Sequence, residues 1–426
     1  MEVLRKELLP SVMLTAVQTD KFKSSCLSLS LLAPMDVQTV TGNALLPYVL
    51  RRGTVNHPDN RSVSLALDEL CGGTMEARVR QQGEYQCVGF IGSFLDDVYS
   101  PDGSAILEPA AALMGEMLLH PVLENGEFRG AYVSGEGKNL ADRIHAQINE
   151  KRQYSIMRLT ELMCADEPYG LDKLGFADQA LSMTAQQLWT RYQDLLATAP
   201  ICLYYCGSAS FERVENALRK ALSGLPRESV AAIKRGCPEA IVPEDVRYFT
   251  DTLDVTQGKL ALGWRTGGVT LCSEDYPALL VLNSVYGGTT TSKLFMNVRE
   301  RLSLCYFAGS MLDKLKGLMV VSSGIEFDQY ERARDEIVAQ FEACVKGDFT
   351  ERELEAGRRA VISSLTACQD SQMRLEDYWM GQYAAGTDFA PEELTEMVGQ
   401  VTAEQISDVA KKMKLDSVYF LKGREA

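Results

Sequence analysis

A long-range repeat is the feature that most limits how this chain can fold. The segment LDELCGGT at 67–74 lines up with LNSVYGGT at 282–289, an offset of 215 residues. TAQQL at 184 matches TAEQI at 402, an offset of 218, and CLYYCG at 202 matches VYFLKG at 418, an offset of 216. One such match would be noise. Three in the same order, at nearly constant offset, imply two homologous halves built on one architecture. The pattern lapses in SGLPRESVAAIKRGCPEAIVPEDVR, residues 223–247, which holds three prolines and weak periodicity and reads as a linker. The expected division is therefore a half at 1–222, a linker at 223–247 and a second half at 248–426.

Local patterns mix strands with helices. CLSLSLL (26–32) alternates apolar and small polar residues, which suits a half-buried strand. YQCVGFIGSF (85–94) and KGLMVVSSGI (316–325) read as further strands. SAILEPAAALMGEMLL (104–119) and YERARDEIVAQFEACV (330–345) carry helical spacing, and Thr402 followed by Gln405 forms a capping box before an apolar run. Strands gather early in each half and helices later. The fold class is α+β: two halves, each a largely antiparallel sheet with helices layered on it.

The net charge of -15 and pI near 4.9 disfavour a nucleic-acid surface, which needs clustered cations, and attraction to anionic lipid. The first residues, MEVLRKELLPSVMLTAVQTDKF, break any apolar run with charges and look like neither a secretory nor a transit segment. No stretch approaches the roughly 20 apolar residues of a membrane helix. The 11 cysteines include no C-x-x-C pair and mostly sit in apolar runs, Cys26, Cys87 and Cys305 among them. They read as reduced core residues of a cytoplasmic protein. Cys202 and Cys206 would share one face of a strand, as buried packing rather than as a metal or disulfide pair. The three histidines, His57, His120 and His145, are never three or four residues apart, so no helical turn can offer a His pair to zinc.

LDELCGG and the strand after it, with ALLPYVL (44–50), EPYGL (167–171), GKLALGWRT (258–266), SKLFMNVRERLSLCY (292–306) and KGLMVVSSGIE (316–326), carry a resemblance across nearly the whole chain. The chain resembles the pitrilysin and mitochondrial-processing-peptidase family, the inverzincins with their His-x-x-Glu-His motif, and within it a non-catalytic bacterial branch. The fold this implies is the LuxS- and processing-peptidase-like metallohydrolase fold. In active members the two His of the motif bind zinc, and its Glu takes a proton from zinc-bound water. In ALLPYVLRRGT the matching positions are Ala44, Pro47 and Tyr48. Ala44 has no donor, Pro47 cannot act as a base, and the Tyr48 phenol is a poor substitute for imidazole. Aligning EGKNLADRI with the family pattern keeps an earlier glutamate as Glu136 and puts Arg143 at the third ligand position, where a guanidinium would repel a cation. The resemblance thus implies no metal, no cofactor and no catalysis, in a helix kept for packing.

In active members an Arg and a Tyr seven residues apart in the second half grip the substrate. RERLSLCY supplies Arg299 and Tyr306 at that spacing, suited to pairing with a peptide carbonyl or a developing oxyanion. The plain reading of these two is a surface ion pair and a strand tyrosine. The strand TMEARVRQQ after Gly72-Gly73 matches the family's peptide-binding edge, with Glu76-Ala77 where Asn-Ala is usual. Peptide addition by main-chain hydrogen bonds and an ordinary edge strand both remain open there. The resemblance implies a non-catalytic subunit paired with a His-x-x-Glu-His paralogue, or a homodimer, acting on peptide. The alternatives are a scaffold or binding protein with no peptidase role, and an enzyme with a carboxylate-held metal of a harder kind than zinc.

Overall fold

Two mixed sheets, mostly antiparallel, carry the chain, one in each of two units. The computed structural model describes residues 1–227, 230 and 234–424, so positions 228, 229 and 231–233 of the expected linker lie outside the described residues. One unit comprises 1–145 with 172–234, the other 146–171 with 235–426. Residues 146–171, which precede the expected linker, thus pack with the second half of the sequence.

The elements open with β1 (Glu2–Leu9), β2 (Val12–Gln18), β3 (Ser24–Pro34), α1 (Val40–Leu50) and α2 (Asn60–Glu69). β4 (Thr74–Gln82), β5 (Tyr85–Leu95), α3 (Leu107–Leu119), β6 (Leu123–Glu124), β7 (Glu127–Phe128) and α4 (Gly130–Ala146) follow. Then come α5 (Lys151–Met163), α6 (Ala177–Ser182), α7 (Ala185–Thr198), β8 (Ile201–Gly207) and α8 (Phe211–Ala221). The second half holds β9 (Arg247–Leu253), β10 (Gly258–Arg265), α9 (Tyr276–Asn283), β11 (Cys305–Asp313), β12 (Leu318–Ile325) and α10 (Tyr330–Val345). It closes with α11 (Glu351–Cys368), α12 (Gln372–Ala385), α13 (Pro391–Gly399), α14 (Ala403–Lys412) and β13 (Lys414–Gly423).

The sheet orders are β1-β2-β8-β3-β5-β4 and β11-β12-β10-β13-β9. From the β4 and β11 edges inward, both run antiparallel through three pairings and end on one parallel pair, β8 with β2 and β13 with β9. β1 is the extra strand of the first unit. The sequence repeat maps onto this correspondence. Thr184 and Thr402 are the N-caps of α7 and α14, each in a capping box with the glutamine three residues on. Such a cap contributes about 1 kcal/mol. CLYYCG and VYFLKG are the matching strands β8 and β13. The halves part company after Gly-Gly-Thr: the first enters β4 directly, whereas the second winds a wide helical segment at Leu294–Arg301 before β11.

In the second unit, α5 lies across β10, β12 and β13. Ile156 and Leu159 pack with Ala261, Val320, Tyr419 and Leu421. Gly263 makes room, since a Cβ there would stand 2.5 Å from Met163 Sδ. Beyond α5 the chain is pinned by charge. Glu167 meets Arg265 at 2.6 Å and Lys316 at 2.5 Å, and Asp416 meets Arg265 at 2.8 Å and Arg247 at 2.5 Å. Both arginines also donate to the Met163 carbonyl, at 2.9 and 2.8 Å. Arg265, Lys316 and Asp416 are almost wholly buried. The opposite face of β10 holds Trp264 against Tyr286 and Phe341, with ring centroids 6.0 and 5.4 Å away.

Breaking one partner of a buried ionic set leaves the others uncompensated. Glu167→Gln is therefore expected to lower unfolding stability by about 3–5 kcal/mol in urea titrations at neutral pH. Burial alone would push the Glu167 carboxyl up, but the bonds from Lys316 and Arg265 outweigh it and hold it below the ordinary glutamate value. A depressed carboxyl contributes stability that is fully present above its unfolded-state pKa and is lost as the pH falls through its folded-state pKa. The parent should therefore lose stability more steeply than Glu167→Gln as the pH drops below about 4.5, converging on it in acid.

Candidate functional site

Helix α1 carries Ala44, Pro47 and Tyr48, the positions expected to match the family's zinc motif. Ten of its eleven residues are buried, so nearly every side chain is committed to packing, and Tyr48 alone is partly exposed. α1 rests on β4, β5 and α7. Polar groups fix its first turns. Asn43 donates to Gln86 Oε1 at 2.9 Å, Arg191 Nε donates to Asn43 Oδ1 at 2.6 Å, and Gln86 Nε2 donates to the Val40 and Lys173 carbonyls at 2.9 and 2.6 Å. Pro47 lies inside the helix, which nevertheless runs on to Leu50, and the Arg51 N–H bonds the Pro47 carbonyl at 3.1 Å. A proline inside a helix costs about 3 kcal/mol, which burial on this scale outweighs.

The Gly-Thr that closes the frame has its own structural work. A Cβ on Gly53 would lie 2.7 Å from the Pro58 carbonyl carbon, so the backbone passes too closely for any side chain. Thr54 is fully buried, donates to Glu116 Oε1 at 2.5 Å and accepts from the His57 N–H at 3.0 Å. Burial raises the Glu116 carboxyl, but the bonds from Thr54 and Asn56 more than compensate and leave it below its ordinary value.

The four residues expected at the former ligand and base positions do not make a metal site. Ala44 is fully buried. The Arg143 guanidinium, on α4, stacks over the Tyr48 ring 4.0 Å from its centroid, so two of the four meet each other. Glu136, one turn and more before Arg143, pairs with Arg52 at 2.5 Å and accepts from Asn139 at 3.2 Å. A methyl group, a pyrrolidine ring, a phenol under a guanidinium and an ion-paired carboxylate do not fit zinc, which takes imidazole, thiolate or free carboxylate. Among the described residues, no group of three or more His, Cys, Asp and Glu is placed to hold a metal ion. Sequence reasoning missed Arg52; its place directly after α1, facing α4, was not written in any spacing.

Strand β4 forms the edge of the first sheet, with Glu76 opposite Ile91 and Ala77 opposite Phe90 on its single named neighbour β5. Glu76 is exposed and Ala77 partly so.

Arg299 and Tyr306 come together in the second unit. Both line a cavity of about 440 Å³ with Ser303, Leu304, Glu326 and Gln329. Arg299 lies in the last turn of the wide helical segment, with its guanidinium 4.6 Å from the Phe295 ring centroid and its Nε 3.6 Å from Glu300 Oε1. Its side chain is 41% exposed, which leaves donors free to face a ligand. Tyr306 owes its position to a β-bulge. Cys305 pairs with Ile325 and Phe307 with Gly324, so Tyr306 has no partner in the ladder and is turned outward, 60% exposed. Its hydroxyl donates to Glu326, and that carboxylate raises the phenol above its ordinary value. Sequence reasoning did not name Glu326. A hairpin of β11 and β12 closed by a short turn puts the residue after β12 beside the start of β11, and that pairing was the available signal.

Residues 182–361 match a family model described as the peptidase M16 inactive domain. The chain is 36% identical over 409 residues to a Bacillus subtilis protein named probable inactive metalloprotease YmfF, covering 96% of this chain and 95% of that one. A conserved protein from Enterococcus faecalis has a crystal structure similar at a TM-score of 0.89 with 25% identity, covering 100% of this chain and 99% of that one. A peptidase M16 inactive domain from Pseudomonas fluorescens is similar at a TM-score of 0.81 with 16% identity, covering 99% and 98%, a likeness of fold alone. No helix among the described residues is long and apolar enough to cross a membrane.

Two substitutions separate packing from vestigial chemistry in the first unit. Thr54→Val keeps the shape but strips a buried hydroxyl from Glu116 and the His57 N–H, and should cost about 1–3 kcal/mol in chemical denaturation. Arg143→Ala removes only an exposed cation–π contact and should cost about 0.5–1 kcal/mol in the same measurement.

Proposed function

The chain belongs to the M16 peptidase family, among its inactive members, and from that premise we propose that it serves as a non-catalytic subunit beside a paralogue that carries His-x-x-Glu-His. In this reading Ala44, Pro47, Tyr48 and Arg143 occupy the places of the lost base and ligands. The second unit keeps the part of the machinery that touches peptide. The observation that carries the reading is the shared cavity. Arg299 and Tyr306 line one open pocket, the first with a half-exposed guanidinium, the second turned out by the bulge. A guanidinium and a phenol directed at one space suit a peptide carbonyl, and suit still better the negative charge that develops on it when a metal-bound hydroxide attacks. The metal and the hydroxide would come from the partner. The exposed edge of β4, with Glu76 and Ala77, gives an extended peptide a place to add by main-chain hydrogen bonds. The chain would act in the cytoplasm.

A second reading has its own support. The Tyr306 hydroxyl already bonds Glu326 of the same chain, which suits a scaffold whose pocket is satisfied internally. The two readings separate in one experiment. The chain is co-expressed with a His-x-x-Glu-His paralogue from the same genome, the complex is purified, and cleavage of a peptide library is followed by mass spectrometry. The subunit reading expects cleavage to need both chains. It also expects Arg299→Ala or Tyr306→Phe to lower kcat/KM by about 10²–10³ with the complex intact, the usual cost of losing an oxyanion donor. A partner that cleaves equally well alone, or a complex indifferent to both substitutions, leaves the scaffold reading standing and removes the first.

A further inference from the structure

One pair of side chains in the second unit takes no part in that function. Cys237 and Cys272 are 35 residues apart in sequence, yet their Sγ atoms lie 2.8 Å from one another. That is only ~0.8 Å beyond a covalent S–S bond of about 2.05 Å. Cys272 is exposed and Cys237 partly exposed, whereas seven of the other nine cysteines are buried, leaving Cys71 and Cys368 as the remaining accessible thiols.

Both cysteines are held from their own side. The Gly236 N–H donates to the Ala384 carbonyl at 2.9 Å, and the Arg235 guanidinium lies 5.2 Å from the Tyr383 ring centroid, so residues 235–237 lie against the C-terminal end of α12. Across from them, the Cys272 N–H donates to Thr270 Oγ1 at 3.3 Å, and the Thr270 N–H donates to Ser273 Oγ at 2.9 Å. The Cys272 thiol donates toward Cys237 Sγ and also lies 3.4 Å from the Ala385 carbonyl. The two sulfurs are thus presented to each other by a short tight turn and by a segment docked on a helix end.

We propose that Cys237 and Cys272 are a reversible oxidative modification site that a hydroperoxide converts into an intrachain disulfide. Cys237 is the sulfur oxidised first. It accepts the hydrogen bond from Cys272, which leaves Cys272 as the partner that carries the proton. Burial, together with the bond to Cys237, pushes the Cys272 thiol up to about 11, which suits the proton-bearing, resolving role. In the first step Cys237 Sγ attacks one peroxide oxygen. An S–O bond forms, the O–O bond breaks, and the departing oxygen leaves as water with the Cys237 proton. In the second step Cys272 Sγ attacks the sulfenic sulfur. The S–S bond forms, the S–O bond breaks, and a second water leaves with the Cys272 proton. Two thiols are oxidised by two electrons and hydrogen peroxide is reduced to two waters. The bond ties residues 235–237 to the 268–273 turn and closes a loop across the 35-residue separation.

The test uses the full chain, fully reduced and then treated with hydrogen peroxide at one equivalent. Free thiols are alkylated without reduction, and the digest is read by mass spectrometry. The expected result is loss of two alkylatable thiols, a Cys237–Cys272 cross-linked peptide two hydrogens lighter, and recovery of both thiols with dithiothreitol. Cys272→Ser should abolish the cross-link and leave a sulfenic acid at Cys237 that a dimedone-type reagent traps. Cys237→Ser should abolish both signals. Oxidation confined to Cys71 or Cys368, with Cys237 and Cys272 still fully alkylated, would overturn the proposal. So would a Cys272→Ser protein that folds, binds the trapping reagent nowhere near residue 237 and keeps its other thiols.

Discussion

The second unit depends on a small knot of buried charge. Residues 146–171 come from the first half of the sequence but pack on the second sheet, where Ile156, Leu159 and Met163 of α5 are buried. What fixes their position is Glu167, with one oxygen on Arg265 and the other on Lys316, while Asp416 takes Arg265 and Arg247. Burying any of these ions alone would cost several kcal/mol. Together they tolerate burial only when every carboxylate oxygen meets a cation, with Arg265 serving both carboxylates, and the Met163 carbonyl must also receive both guanidinium groups. A slip of one turn along α5 would break several of these pairings at once. An apolar contact of the same size would specify the register far less sharply.

On the proposed reading, the same logic explains how α1 could keep its frame without a metal. The residues around Ala44, Pro47 and Tyr48 have separate employment. Asn43 is tied into Gln86 and Arg191, Leu45, Leu46, Val49 and Leu50 fill the core of the first unit, and Gly53-Thr54 closes a turn on Glu116. Replacing a zinc ligand removes chemistry without touching any of these contacts. Replacing Thr54 or Gly53 would disturb the fold at once. On the proposed reading, the small apolar side chains of Ala44 and Pro47 join the packing that already holds the helix, so it stands without a metal. The stacking of Arg143 on Tyr48 shows the outcome: the space is filled by groups that satisfy each other.

Much of the fold was legible because it is local or repeated. Thr184 and Thr402 announce their helices through capping boxes, β3, β5 and β12 through alternation or β-branched runs, and the offset near 216 residues gives two sheets of matching order. The exchange of residues 146–171 was not legible, because it rests on pairings between charges roughly 100 to 170 positions apart. EPYGL, GKLALGWRT and KGLMVVSSGIE served at first only as marks of resemblance. In space Glu167, Arg265 and Lys316 from those three stretches are the knot itself. Arg52 was missed for the same reason, since its partner Glu136 is 84 residues away, whereas Glu326, beside Tyr306 across a hairpin, lay within reach of the strand pattern. The proline in α1 shows the limit from the other side: the disturbance it implies locally is overridden by packing that no local rule contains.

The two units then differ in how they treat their polar groups. In the first, Glu136 is neutralised by Arg52 and Arg143 lies on Tyr48, so the groups near the frame answer one another. In the second, the chain gives up one ladder position to turn Tyr306 outward and leaves the Arg299 side chain 41% exposed, 3.6 Å from the Glu300 carboxylate. A bulge forfeits ladder hydrogen bonds, and a phenol 60% exposed gains little by burial, so neither feature stabilises the fold. On the proposed reading, these features serve a ligand. The Glu326 bond fits this argument too. On the proposed reading it holds the hydroxyl in one place until a stronger acceptor arrives, such as a peptide carbonyl acquiring negative charge.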